Sequence, residues 1–518
     1  MPSDRHHLLR SSFVVGSFSL LGSLTGILVE TSIAAQLGLS KSSDSFYVAF
    51  TVPYIICNLL SATGQFSLVP FFTTLETRHS DEEFWRGFSY AVNVIFLGLG
   101  GLAAAGAAAA PWLIRGVAPG LTRPQIDLAA QLCQWLFLMI VPAGVAETFR
   151  SFLLSQRRFA LASAAGFIRN STVVLLILFT FQRYGAYSIV LGYLAGYFLQ
   201  VAVLGVQILV SFRVRYSLAL VGSGEAFQNL RGAGAAQLIA ALSWQAVVIV
   251  ERIIASFLPP GTLTALNYGF KILGTLSELL AGSVGTAALA VISREVALRA
   301  EDTARKTFQS MLAITVVMIS PIMVFCLLLP RSIIRLVFER GNFTPEATAL
   351  MSVVFFYYSF SLGFFAIFRV LTFYLFARHE TGWFIRLSLL HYGLAVALDL
   401  LYVGALRLGP RGIPLALLSS LAITAGLAFK RNLAGLKEVL DRSVGIFALK
   451  DLLGSILAAF AVCLLQFWVT PSATKSGNFL YICELCGAGS VVFFGMLAAT
   501  RALPISDWLS AWRSPQDT

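Results

Sequence analysis

Long apolar stretches alternate with short polar ones along the whole chain. Charge-free runs cover residues 11–29, 45–75, 87–114, 128–146, 184–212, 232–250, 307–330, 347–368, 412–429 and 452–474. Four further apolar runs with embedded charges lie near 158–182, 262–293, 380–406 and 477–500. About 20 apolar residues cross a bilayer core as a helix, so the pattern predicts fourteen spans. A membrane barrel would alternate polar and apolar positions, and these runs do not. The fold class expected is therefore all-α and polytopic. No polar insertion reaches the length of a soluble domain, and no phosphate-binding GxxxxGK[ST] loop occurs. ATP hydrolysis by this chain itself is not expected.

Composition sharpens this. Of 518 residues, 57% are hydrophobic and 12% charged, against about 25% charged in soluble domains. A net charge of +12 would suggest nucleic acid in a soluble protein; in a membrane chain it marks cytoplasmic loops. Placing the N-terminus in the cytoplasm puts 22 Lys and Arg at cytoplasmic helix ends and 10 at the opposite ends. Both termini are then expected inside, with an even number of spans. The six cysteines sit mostly in apolar runs, and the Cys483/Cys486 pair has no second pair or histidine nearby in sequence. No metal site and no catalytic triad motif emerges; the acidic Asp81-Glu82-Glu83 stretch reads as a solvated loop.

A weak internal repeat appears at a shift of 221 residues. Glu30 falls on Glu251, Ile33 on Ile254, Ala34 on Ala255, Leu37 on Leu258 and Tyr47 on Tyr268. Six spans separate these positions. That predicts two parallel six-helix lobes, 1–220 and 221–440, with 441–518 adding two helices and a cytoplasmic tail. Paired lobes around a central site are a common transporter plan.

Charges inside spans are costly and point to wet interiors or pairs. Glu30, Glu251, Arg252, Lys271 and Glu278 cluster in spans one, seven and eight. They are the expected lining of a central cavity: Lys271, aided by Arg252, suits a phosphate, and the carboxylates could take a proton or Na⁺. Pairing or snorkelling to the interface is the competing reading for Glu251, Arg252 and Glu278. Arg169, Arg369 and Arg386 are expected to snorkel near cytoplasmic ends. His391 reads as a packed histidine.

The stretches Glu30-Thr-Ser-Ile-Ala-Ala-Gln-Leu-Gly38, Ser43-Asp-Ser-Phe-Tyr-Val-Ala-Phe50 and Pro111-Trp-Leu-Ile-Arg115, then Ile254-Ala-Ser-Phe-Leu258 and Arg335-Leu-Val-Phe-Glu-Arg-Gly341 with Phe343-Thr344, carry a resemblance. Together they resemble the MurJ/MviN lipid II flippases, within the wider multidrug and oligosaccharidyl-lipid exporter group. The resemblance implies fourteen helices, two lobes and a central cavity. It also implies passage of an undecaprenyl-pyrophosphate-linked sugar across a bacterial inner membrane, without covalent chemistry or a cofactor. Asp44 matches the family's acidic residue at the start of span two, and Glu30 the one in span one. The family's cavity arginines in spans one, two and eight meet Ser23 and Val29, the region of Cys57 and Asn58, and Lys271 here. A changed glycan is one consequence to consider. An ion-coupled drug antiporter of the same fold, and a non-transporting scaffold for glycan-assembly enzymes, are the alternatives.

Overall fold

The structure, a computed structural model, describes residues 2–78, 80–220, 235–378, 380–430, 442–470 and 474–500. The basic positions Arg231, Arg431, Lys437, Arg501 and Arg513, counted above as cytoplasmic, lie outside the described residues. Eleven helices among the described residues are long and apolar enough to cross a membrane. Three further helical runs, 41–78, 235–255 and 262–297, lie between them in chain order. That is consistent with the expected fourteen. The chain falls into two compact units, Met1–Thr264 with Arg340–Phe343, and Ala265–Glu339 with Thr344–Thr518.

The first unit opens with α1 (Pro2–Leu37) and α2 (Lys41–Thr63). Ser40 starts α2 through a reciprocal capping box with Ser43, which satisfies two orphan donors of the first turn. A π-helical turn, Gly64–Leu68, then leads into α3 (Val69–Arg78). Gly64 makes room at this bulge, since a Cβ there would lie 2.2 Å from Glu147 Oε1. Helix α4 (Asp81–Val117) is capped by Ser80 and Glu83, with Asp81, Glu82 and Glu83 in its first turn. The acidic stretch is thus exposed but helical, not a loop, because carboxylates favour a helix N-terminus. There follow α5 (Arg123–Phe137), α6 (Ile140–Ser155), α7 (Phe159–Tyr184), α8 (Tyr187–Ser211) and α9 (Ala235–Ala255).

One end of this unit is held by aromatic packing. Phe72, Phe84, Trp85, Phe88 and Phe152 are buried against one another. The Phe88 and Phe152 rings lie 4.8 Å apart, and Phe212 joins Phe152 at 5.3 Å. Elsewhere large apolar side chains such as Phe179 and Val210 are over 80% exposed. Such a surface suits lipid rather than water.

The second unit contains α10 (Thr262–Ser277, which begins at the end of the first), a π-helical turn at Glu278–Gly282, and α11 (Ser283–Ala297). Helices α12 (Glu301–Leu328), α13 (Pro330–Phe338), α14 (Pro345–Ala377), α15 (Thr381–Asp399) and α16 (Gly412–Lys430) follow. The final pair, α17 (Arg442–Trp468) and α18 (Lys475–Ala499), packs on α12. Val324, Phe325 and Leu329 meet Val462, Tyr481 and Leu485 in one buried cluster. Polar bonds also pin this pair. Ser320 Oγ donates to Asp451 Oδ2 at 2.7 Å, and Asn478 Nδ2 donates to the Ser332 carbonyl at 3.0 Å.

Candidate functional site

Asp44 lies one turn into α2 and is 3% exposed. A buried carboxylate needs donors, and the start of α10 supplies them. The Gly261 N–H donates to Oδ2 at 2.6 Å. The Thr264 N–H and hydroxyl donate to Oδ1 at 2.9 and 2.7 Å. Asp44 is therefore the N-terminal cap of a helix far along the chain, where a negative group opposes the positive helix end. Gly261 adopts φ +84°, which a side chain would strain. A small cavity of about 220 Å³ lies beside this corner, lined by Lys41, Asp44, Gln125, Ser256 and Leu263 among others. Ser256 Oγ accepts from the Gly120 N–H there at 3.0 Å.

The Phe-Glu-Arg-Gly-x-Phe-Thr motif has an equally specific task. Asn342 donates its backbone N–H to the Ala35 carbonyl at 2.7 Å and its Nδ2 to the Gln36 carbonyl at 2.6 Å. The last carbonyls of a helix have no partner within it; Asn342 satisfies two of them at the end of α1. Gly38 and Gly341 carry φ +61° and +55°. A Cβ on Gly341 would meet the Ala35 carbonyl at 2.3 Å. The motif thus closes span one, a role no spacing rule could reveal, because its partner lies 306 residues away.

The other candidates fall into distinct settings. In the first unit, Glu30 accepts from the Tyr47 hydroxyl at 2.5 Å. Arg252 donates to the Leu263 carbonyl at 3.4 Å and lies within electrostatic range of Asp44 and Glu251. Arg252 and Asp44 therefore belong to the same corner. In the second unit, Glu278 opens the π-turn and pairs with Arg369, the glutamate being half exposed. Arg369 is thus engaged with a carboxylate. Lys271 is half-buried on α10; its carbonyl accepts from Thr275, and its ammonium has no hydrogen bond or ion pair among the described residues. Arg386 stacks over Trp383 at 5.2 Å near the start of α15. His391 is buried, between Phe368 and Tyr392.

Arg169 departs from its expectation. It lies about 15 Å along a helix of about 39 Å, since α7 runs Phe159–Tyr184 over 26 residues. That is mid-helix, not a cytoplasmic end. Arg157 and Arg158 precede the helix, which starts only at Phe159. The neighbouring Asn170, a second polar residue in the middle of an apolar run, was the available signal.

These sites belong to a chain with clear relatives. A family model described as lipid II flippase MurJ matches residues 33–483. The lipid II flippase MurJ of Burkholderia cenocepacia is 28% identical over 302 residues, 56% of this chain and 57% of the relative. A probable lipid II flippase MurJ of Rhizobium meliloti is 25% identical over 94% of this chain and 93% of the relative. A solved structure titled lipid II flippase MurJ, inward closed conformation, superposes with TM-score 0.76 at 20% identity, covering 95% of this chain and 100% of that one. An inward-facing multidrug MATE transporter shares the fold at TM-score 0.68 and 13% identity, covering 83% of this chain and 99% of that one. With the family model spanning most of its length, the chain belongs to the MurJ family of lipid II flippases.

Proposed function

We propose that this protein moves an undecaprenyl-pyrophosphate-linked saccharide, lipid II or a closely related lipid-linked glycan, from the cytoplasmic to the periplasmic leaflet by alternating access. Family membership over residues 33–483 carries the reading. Two features of this chain support it. The Lys271 ammonium has no partner among the described residues, which leaves a cation for phosphate. The final helix pair, docked on α12 through an apolar seam, suits a neighbouring polyprenyl tail.

Roles divide accordingly. Lys271 binds the head group as a point charge. Glu30, Glu251 and Glu278 are the candidate carboxylates for a coupling Na⁺ or H⁺. Asp44 and Arg252 act through the α2–α10 corner, whose bonds hold one state and would be exchanged in another. Leaflet exchange makes and breaks no covalent bond, so no catalytic residue and no cofactor is assigned. The protein sits in a bacterial inner membrane with both termini cytoplasmic; glycan-assembly enzymes are its natural partners.

Complementation tests this directly. Expression of the chain should sustain growth of a bacterium depleted of its own lipid II flippase. Membrane-inserted, folded protein that fails to do so while exporting cationic dyes would favour the antiporter reading instead.

A further inference from the structure

We infer that Arg169 is a phosphate-binding residue of the first unit, bringing from span five a guanidinium to the place between Ser23 and Cys57. This rests on the flippase reading above. The supporting geometry lies wholly within the first unit.

A guanidinium at mid-membrane is retained only where something compensates its charge. The hydrogen-bond and ring partners of Arg169 among the described residues are all neutral. Its Nε and Nη2 both donate to Asn170 Oδ1 at 3.2 Å. Its Nη1 donates weakly to the Tyr197 hydroxyl at 3.4 Å, and its carbon lies 5.0 Å from the Tyr197 ring centre. Glu147, which feels Arg169 electrostatically, spends its oxygens on Arg150 at 2.7 and 3.0 Å. Five N–H donors and three bonds leave two donors over. The residue as a whole is half-buried.

Its surroundings fix its aim. Asn170 Nδ2 donates to the Gly22 carbonyl of α1 at 3.1 Å, next to Ser23. The Tyr197 hydroxyl lies beside the Cys57 thiol of α2. Tyr54, one turn before Cys57, lies within electrostatic range of the guanidinium. Both α1 and α2 lack a basic residue at these points. A planar fork with free donors, oriented by an amide and a tyrosine, suits a phosphate or pyrophosphate oxygen pair.

The test uses full-length protein in nanodiscs and liposomes with lipid II as probe. Arg169→Ala should weaken lipid II binding roughly 10- to 100-fold, the scale of one charge-assisted pair, with little change in melting temperature. Adding Cys57→Arg to Arg169→Ala returns a guanidinium to the same space and should restore binding about tenfold; a purely structural Arg169 would show no such rescue. Unchanged binding by Arg169→Ala overturns the proposal, as does a folded double variant without rescue. If the double variant does not fold, Arg169→Lys against Arg169→Gln decides: greater binding by Lys supports the assignment, equal binding overturns it. Wild-type protein that binds lipid II through Arg169 but never exchanges it sinks the flippase reading alone. Wild-type protein that binds no lipid II sinks both.

Discussion

Replacing Asp44 probes the corner that joins α2 to the start of α10. In Asp44→Ala the N–H groups of Gly261 and Thr264 lose acceptors at 2.6 and 2.9 Å. Each buried donor left unpaired costs about 1–3 kcal/mol, so the pair should cost about 2–6 kcal/mol. Loss of the helix cap alone accounts for about 0.5–2 kcal/mol, which makes the lower half of that range the expectation. Asp44→Asn keeps one acceptor but turns an amide N–H toward a backbone N–H, so it should lose about half as much. Hydrogen exchange read by mass spectrometry on peptides covering residues 256–270 reports this locally. A loss of 2 kcal/mol corresponds to roughly 30-fold faster exchange. Thr264→Val, which removes the hydroxyl bonded to Asp44 Oδ1 and Ser43 Oγ but keeps both backbone donors, should have a smaller effect. Unchanged exchange and melting in Asp44→Ala would refute the capping argument.

Other consequences follow from the same geometry. Lys271→Ala should leave stability within about 0.5 kcal/mol, as for side chains without partners, yet abolish lipid II exchange; normal exchange removes Lys271 from the site. Gly341→Ala should destabilise the end of α1 more than Asn342→Ala, which loses about 0.5–1.5 kcal/mol for its side-chain bond, because its Cβ meets the Ala35 carbonyl at 2.3 Å. Equal melting of the two variants would speak against that contact. Phe152→Ala, fully buried among five aromatic rings, should cost about 3–5 kcal/mol, seen as reduced detergent-solubilised protein and a lower melting temperature.

Hydrophobic runs were enough to place the helices, because each span must satisfy its own backbone bonds wherever it lies. The capping boxes of Ser40 and Ser80 are equally local, but it was the structure that brought them out. Pairing was not. Asp44 to Thr264 and Asn342 to Gln36 join positions 220 and 306 residues apart, and nothing in either segment names the other. Helices α2 and α10 begin at Lys41 and Thr262, 221 residues apart. Charged residues in spans were found easily, but their settings were not. Glu278 is engaged with Arg369 and Glu147 with Arg150, whereas Lys271 and Arg169 meet no carboxylate partner among the described residues. Which charges are compensated depends on packing between helices, which the charge pattern along the chain does not encode. The π-turns at Gly64–Leu68 and Glu278–Gly282 were likewise silent in sequence.

The most direct measurement of the central claim is leaflet exchange. Purified protein in liposomes receives fluorescent lipid II in both leaflets, and a membrane-impermeant quencher reads the outer fraction over time. The account predicts that protein-containing liposomes exchange lipid II far faster than empty ones, and that Lys271→Ala returns them to the empty rate. Folded wild-type protein that leaves lipid II in its original leaflet would contradict it.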